Sequence, residues 1–202
     1  MTPKKRPQAR LKLNRVFCLE ESVWDDDKGL TDQASVLPTL ELLQRMGAVE
    51  RFVHRHCYGF TEFENYAEGR APDRTTRSFG TVYFAFHGTR EGLRVGEKTL
   101  SLDRLAELVG QLPGGVVHLG SCSVLKGDPE AAQRFLSKTG AALLSGYQRD
   151  VEWLDSAALD LAWLGYLTDY SRPGDSVRFF RQRYESVISH LNWECVPAGA
   201  RK

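Results

Sequence analysis

Five consecutive apolar residues, Val82, Tyr83, Phe84, Ala85 and Phe86, leave that stretch of chain no side to turn toward water. A strand points successive side chains to opposite faces, so such a run is stable only where both faces are covered. The usual setting is a parallel sheet with helices on either side. Parallel neighbours need crossover connections, and the rest of the chain should therefore alternate strand and helix.

It does. Residues 16–19 read as a short buried strand, and Val36, Leu37, Leu40, Leu43 and Met46 fall at helical spacing behind it. Pro38 fits only the start of that helix, and Gly47 stops it. Residues 51–58 are a second strand and residues 61–68 a short helical piece, while the polar stretch 70–78 with Pro72 reads as a surface loop. After the apolar strand at 81–86, residues 92–100 suggest a hairpin turning at Val95-Gly96-Glu97-Lys98. Ser101 then caps a helix with Leu102, Leu105, Ala106, Val109 and Leu112 on one side. Residues 116–120 form the fourth strand; Asp128-Pro129 opens a helix over 130–138, and Gly140 ends it. Residues 141–145 are a fifth strand, 156–167 a mostly buried helix interrupted by Asp160, and one last helix follows Pro173-Gly174 with Phe180, Tyr184, Val187, Ile188 and Leu191 at helical spacing. The expectation is one α/β domain with a mainly parallel central sheet flanked by helices, spanning residues 15–202 behind a basic, mobile tail at 1–14.

The overall charge of +1 offers no field to attract nucleic acid or a membrane surface, so neither is expected as a partner. There is no apolar run long enough for a bilayer and no secretion signal, which points to the cytoplasm. The four cysteines, Cys18, Cys57, Cys122 and Cys195, show neither CxxC spacing nor a disulfide framework. Free thiols fit a reducing compartment.

In open α/β sheets the chemistry sits beyond the carboxyl ends of the strands. His87-Gly88 ends one apolar strand and Ser121-Cys122 ends the next. If those strands are neighbours, an imidazole and a thiol stand side by side, a general base with a nucleophile. A helix following Cys122 would lower the thiol's pKa, and the backbone N–H groups of Gly88 and Cys122 could receive a developing oxyanion. The other histidines are weaker candidates: His54 and His56 alternate along a strand, His118 lies inside one, and His190 sits on the last helix. No histidine spacing argues for zinc, and Asp25, Asp26 and Asp27 lack the alternating pattern of a calcium loop, so no metal or other cofactor is expected.

The order His-Gly, hairpin, helix, strand, Ser-Cys over roughly residues 80–167 resembles the caspase-like cysteine peptidases, and within them the CHAT (caspase/separase-related) family. The resemblance implies a three-layer caspase-like sandwich with His87 and Cys122 as catalytic dyad. It implies regulated proteolysis of a protein or peptide substrate, of the defence or cell-death type, under a regulatory partner protein. It departs at Gly120, two residues before the cysteine, where the family often places a specificity residue, and caspase-type arginines for a substrate aspartate are not evident.

The loops beside the expected site are acidic instead, with Glu20 and Glu21 after the first strand and Glu152 and Asp155 after the fifth. Lined by such carboxylates and walled by Trp153, a pocket would favour a basic residue before the cut bond. The same acids would serve equally as helix caps. Two rival readings remain: an inactive caspase-like binding or regulatory module, and an unrelated doubly wound α/β protein. The second lacks any GxGxxG or GxxxxGK[ST] phosphate loop.

Overall fold

The computed structural model describes residues 11–25, 27, 28, 31–70, 76, 78–169 and 173–199. The elements run β1 (Lys12–Glu21), α1 (Leu37–Arg45), β2 (Arg51–Cys57), α2 (Phe60–Arg70), β3 (Phe79–Ala85), β4 (Gly88–Thr89), β5 (Gly92–Val95), β6 (Lys98–Leu100) and α3 (Leu102–Val109). They continue with β7 (Val116–Leu119), α4 (Pro129–Thr139), β8 (Leu143–Tyr147), α5 (Trp153–Asp169), α6 (Pro173–Arg183), α7 (Glu185–Leu191) and β9 (Trp193–Pro197). Six strands form one sheet in the order β2-β1-β3-β7-β8-β9, and β4-β5-β6 form a small separate one. Every pairing in the large sheet is parallel except that of β9 with β8.

β3 is buried along its whole length, as its apolar run requires. Val82 and Phe84 point into a core with Phe63 of α2, Leu105 of α3 and Phe135 of α4. Tyr83 and Ala85 point the other way, into a core with Leu40 of α1, Trp163 of α5 and Phe180 of α6. Helices thus cover both faces of the sheet. The caps read from sequence are in place: Ser101 Oγ accepts from the Arg104 N–H, and Asp128 Oδ1 accepts from the Glu130 N–H. No helix among the described residues is long and apolar enough to cross a membrane.

Several expectations need correction. The strand begins inside the supposed tail: Lys12 already pairs with β3, and its ammonium meets Glu50 at 2.9 Å. Residues 1–10 lie outside the described residues. Of the supposed surface loop at 70–78, Arg70 is the buried end of α2 and Thr76 is buried with its hydroxyl on the Arg70 carbonyl; 71–75 and 77 lie outside the described residues. The fifth strand starts two residues later than expected. The single last helix is two, broken at Tyr184 (φ −115°), and β9 follows. Neither Gly nor Pro marks that break, and β9 carries Glu194 and Pro197 in a five-residue span, too short to show a period.

Candidate active site

β3 and β7 are adjacent and parallel, with Phe84 opposite Leu119, and the ladder extends one step further as the Gly120 N–H donates to the Phe84 carbonyl at 2.9 Å. His87 lies three residues past one partner and Cys122 three past the other. Both line one cleft of about 800 Å³ at the carboxyl ends of the strands. The two strands are neighbours, as expected, and both residues line the same cleft.

Gly88 holds them together. A Cβ built on it would lie 2.3 Å from the Cys122 carbonyl oxygen and 2.6 Å from a Val124 methyl. No side chain fits there, so the His-Gly pair is a condition of the strand ends approaching so closely. The Arg94 N–H donates to the His87 carbonyl, which makes Gly88–Leu93 a non-hydrogen-bonded pair of the small sheet. The Gly88 N–H is therefore not spent on that ladder.

His87 Nε2 is 3.0 Å from the Trp24 carbonyl oxygen, and the two rings meet edge to face at 5.4 Å. A carbonyl only accepts, so the hydrogen must sit on Nε2 and the Nδ1 lone pair of the neutral ring is left open. Trp24 is held in turn: its indole N–H donates to Glu20 Oε1 at 2.9 Å and its backbone N–H to Asp32 Oδ2 at 2.7 Å.

All four cysteines are free, and only Cys122 is partly exposed. Burial pushes Cys57 and Cys195 up to about 12 and Cys18 well above its ordinary value. Burial also raises the Cys122 thiol; the Val151 N–H, 3.5 Å from Sγ, opposes this, but the charges of Asp150 and Glu152 add to the rise. The helix expected to lower it is absent from that position. Cys122 is followed by a left-handed Ser123 and a single 3-10 turn at Val124–Lys126, and α4 begins only at Pro129. The net effect on the thiol is a rise above its ordinary value.

Of the acids assigned to substrate, Glu152 lines the cleft, and so does the half-exposed Trp153. Glu20, Glu21 and Asp155 do not. Glu20 is wholly buried, its carboxylate taken by Trp24, Ser35, Val36 and His54. Burial opposes its charge, yet those hydrogen bonds outweigh burial and hold the carboxyl below its ordinary value. Asp26 lies outside the described residues. The cleft takes its charge instead from Asp25, Asp27, Asp32, Glu152 and Asp160, against Lys28 and Arg94. Asp25 is paired with Lys28 at 3.0 Å.

Asp160 is the residue that sequence reasoning passed over. It is almost fully buried at the floor of the cleft, where it accepts from the hydroxyls of Tyr83 (2.8 Å) and Tyr147 (2.5 Å) and meets His118 Nε2 at 2.7 Å. His118 is packed, as expected, its ring stacked on Tyr83. Gly120 lies directly over this group: a Cβ there would be 2.8 Å from Asp160 Oδ2. The bare Gly120 thus opens the cleft to a carboxylate carried by another element. The signal in sequence was a lone acid among Leu159, Leu161, Ala162, Trp163 and Leu164, which needs polar partners inside.

An imidazole, a thiol and a set of carboxylates share one cleft with Trp24 and Trp153. Residues 13–195 match a family described as a "Family of unknown function (DUF6642)", and the chain belongs to that family. No curated protein matches it.

Proposed function

We propose that the chain is a cysteine peptidase of caspase/CHAT-like build that cuts a protein or peptide after a basic residue. The observation that carries this is the shared cleft of His87 and Cys122 at the ends of adjacent parallel strands, with His87 Nε2 already engaged by the Trp24 carbonyl. His87 Nδ1 takes the thiol proton as Cys122 Sγ attacks the substrate carbonyl carbon. The tetrahedral oxyanion is received by the N–H groups of Gly88 and Cys122. His87 then gives the proton to the departing amine as the C–N bond breaks, leaving a thioester on Cys122. Water, deprotonated by His87, attacks the thioester, and the thiol leaves with that proton.

The preference for a cationic side chain rests on the balance of charge in the cleft, five carboxylates against Lys28 and Arg94. Asp160 beneath Gly120 and Glu152 at the wall are the counter-charges; Glu20, Glu21 and Asp155 do not line the cleft. A bound lysine or arginine would also offset the charges of Asp150 and Glu152, which add to the rise that burial imposes on the thiol. A thiol held above its ordinary value suits a peptidase controlled by a partner protein, and it suits an inactive binding module as well.

The test separates the two. Acyloxymethyl-ketone peptides ending in Arg, Lys or Asp are incubated with the full chain and with Cys122→Ala and His87→Ala. Labelling by the Arg and Lys probes that vanishes in the first variant and falls at least tenfold in the second is the expected result. An Asp preference would refute the specificity, and no labelling by any probe would leave the binding module.

A further inference from the structure

The parallel pairing of β1 with β2 sets Cys18 opposite His54 and Glu20 opposite His56. Residues two apart on a strand share a face, so Glu20, His54 and His56 all project on the same side of the sheet. His54 Nε2 lies 2.6 Å from Glu20 Oε2 and His56 Nδ1 lies 4.0 Å from the same oxygen, with the two rings perpendicular and their centres 4.7 Å apart. The three ligand atoms all fall within 4.8 Å of one another. Their exposure is graded, the Glu20 side chain at 0%, His54 at 7% and His56 at 41%. That gives a site with a buried base and an open mouth.

The lone pairs of Glu20 are almost all allocated. Oε1 accepts from the Trp24 indole and the Val36 N–H, and Oε2 accepts from the Ser35 hydroxyl at 2.7 Å. A carboxylate has about four acceptor positions, so one remains, on Oε2 facing His54. We propose that Glu20, His54 and His56 bind a divalent transition metal, zinc foremost, with the ion taking the place of the hydrogen between His54 and Glu20. Two imidazoles and a carboxylate are a zinc donor set, and three protein ligands leave a fourth position to water on the His56 side. Ligands about 2.1 Å from a tetrahedral ion stand roughly 3.4 Å apart. The 2.6 Å contact must open and the 4.0 Å contact close, each by less than ~1 Å, on a strand that is the free edge of the sheet. The donors from Trp24, Ser35 and Val36 are the outer shell that orients the liganding carboxylate.

Along the chain, the His54-x-His56 spacing combines with no acid convincingly enough to argue for zinc. The acid comes from the neighbouring strand, through the β1–β2 register. The site does not depend on the proposed peptidase activity. An ion there would brace the β1–α1 segment carrying Trp24.

The test uses the full chain with Cys122→Ser, so that the cleft thiol cannot bind metal. After chelator treatment the protein is titrated with Zn²⁺ in competition with a chromophoric chelator, and with Co²⁺ by absorbance. The expected result is one equivalent bound, Co²⁺ visible bands without a sulfur-to-metal charge-transfer band, and affinity lowered at least tenfold by His56→Ala and His54→Gln. His56 is exposed, so its variant should fold, and thermal melts without metal check this. Absence of stoichiometric binding, binding undiminished in the folded His56→Ala protein, or a thiolate charge-transfer band would each overturn the proposal.

Discussion

His87 Nε2 stands 3.0 Å from the main-chain oxygen of Trp24, so a backbone carbonyl and not a side chain holds this imidazole. A carbonyl orients an imidazole without adding a full negative charge, and it fixes which nitrogen bears hydrogen. Nitrogen-15 NMR of the imidazole should therefore find the neutral His87 ring protonated at Nε2. Assignment of the hydrogen to Nδ1 would mean that the ring cannot accept the thiol proton in this geometry.

The Cys122 thiol should react slowly at neutral pH. Burial, with the charges of Asp150 and Glu152 behind it, holds the thiol above its ordinary value, so alkylation by iodoacetamide should keep rising through alkaline pH. Glu152→Gln removes one opposing charge and should raise the rate near pH 7.5 by about threefold. A rate already at its plateau at pH 7 would show a thiolate formed at rest, contrary to this account.

Gly88→Ala tests the close approach of the two strand ends. The new methyl would stand 2.3 Å from the Cys122 carbonyl oxygen, a backbone atom that cannot rotate away. We expect a loss of about 2–3 kcal/mol in denaturant unfolding together with altered alkylation of Cys122. A variant as stable and reactive as the parent would mean that the strand ends are further apart than described.

Much of this was legible in the residues themselves. The unbroken apolar run of β3 demanded a doubly covered parallel strand, and Ser101 and Asp128-Pro129 announced their helices by local chemistry. His87 and Cys122 were visible because both stand at strand ends, where topology alone brings them together. The Trp24 carbonyl was invisible, since a main-chain oxygen has no residue signature. Glu20 and Glu21 are neighbours in sequence, yet strand alternation puts them on opposite faces and gives Glu20 a buried bonding role. Asp160 and the Glu20–His54–His56 cluster depend on contacts between elements distant in sequence, which periodicity cannot show. Asp155 failed for a simpler reason: it lies in the first turn of α5, outside the cleft that Glu152 and Trp153 line.

Glu20 also makes a prediction about stability. It is buried, and the donors of Trp24, Ser35, Val36 and His54 converge on its carboxylate. Glu20→Gln keeps the shape but removes the charge and turns one acceptor into a donor, so the variant should lose roughly 3 kcal/mol at pH 7 in metal-free buffer. The pH dependence has a definite sign. The folded carboxyl titrates below its ordinary value, so the folded state holds fewer protons than the unfolded chain between the two values. The contribution of Glu20 is complete above the unfolded value of about 4.3 and is lost as the pH falls through the lower, folded one. Urea unfolding of parent and variant should therefore converge below about pH 5 as the acid is protonated. A gap that widened below about pH 5 would mean that the folded carboxyl titrates above the unfolded one, which would undo both its hold on Trp24 and its role as a metal ligand.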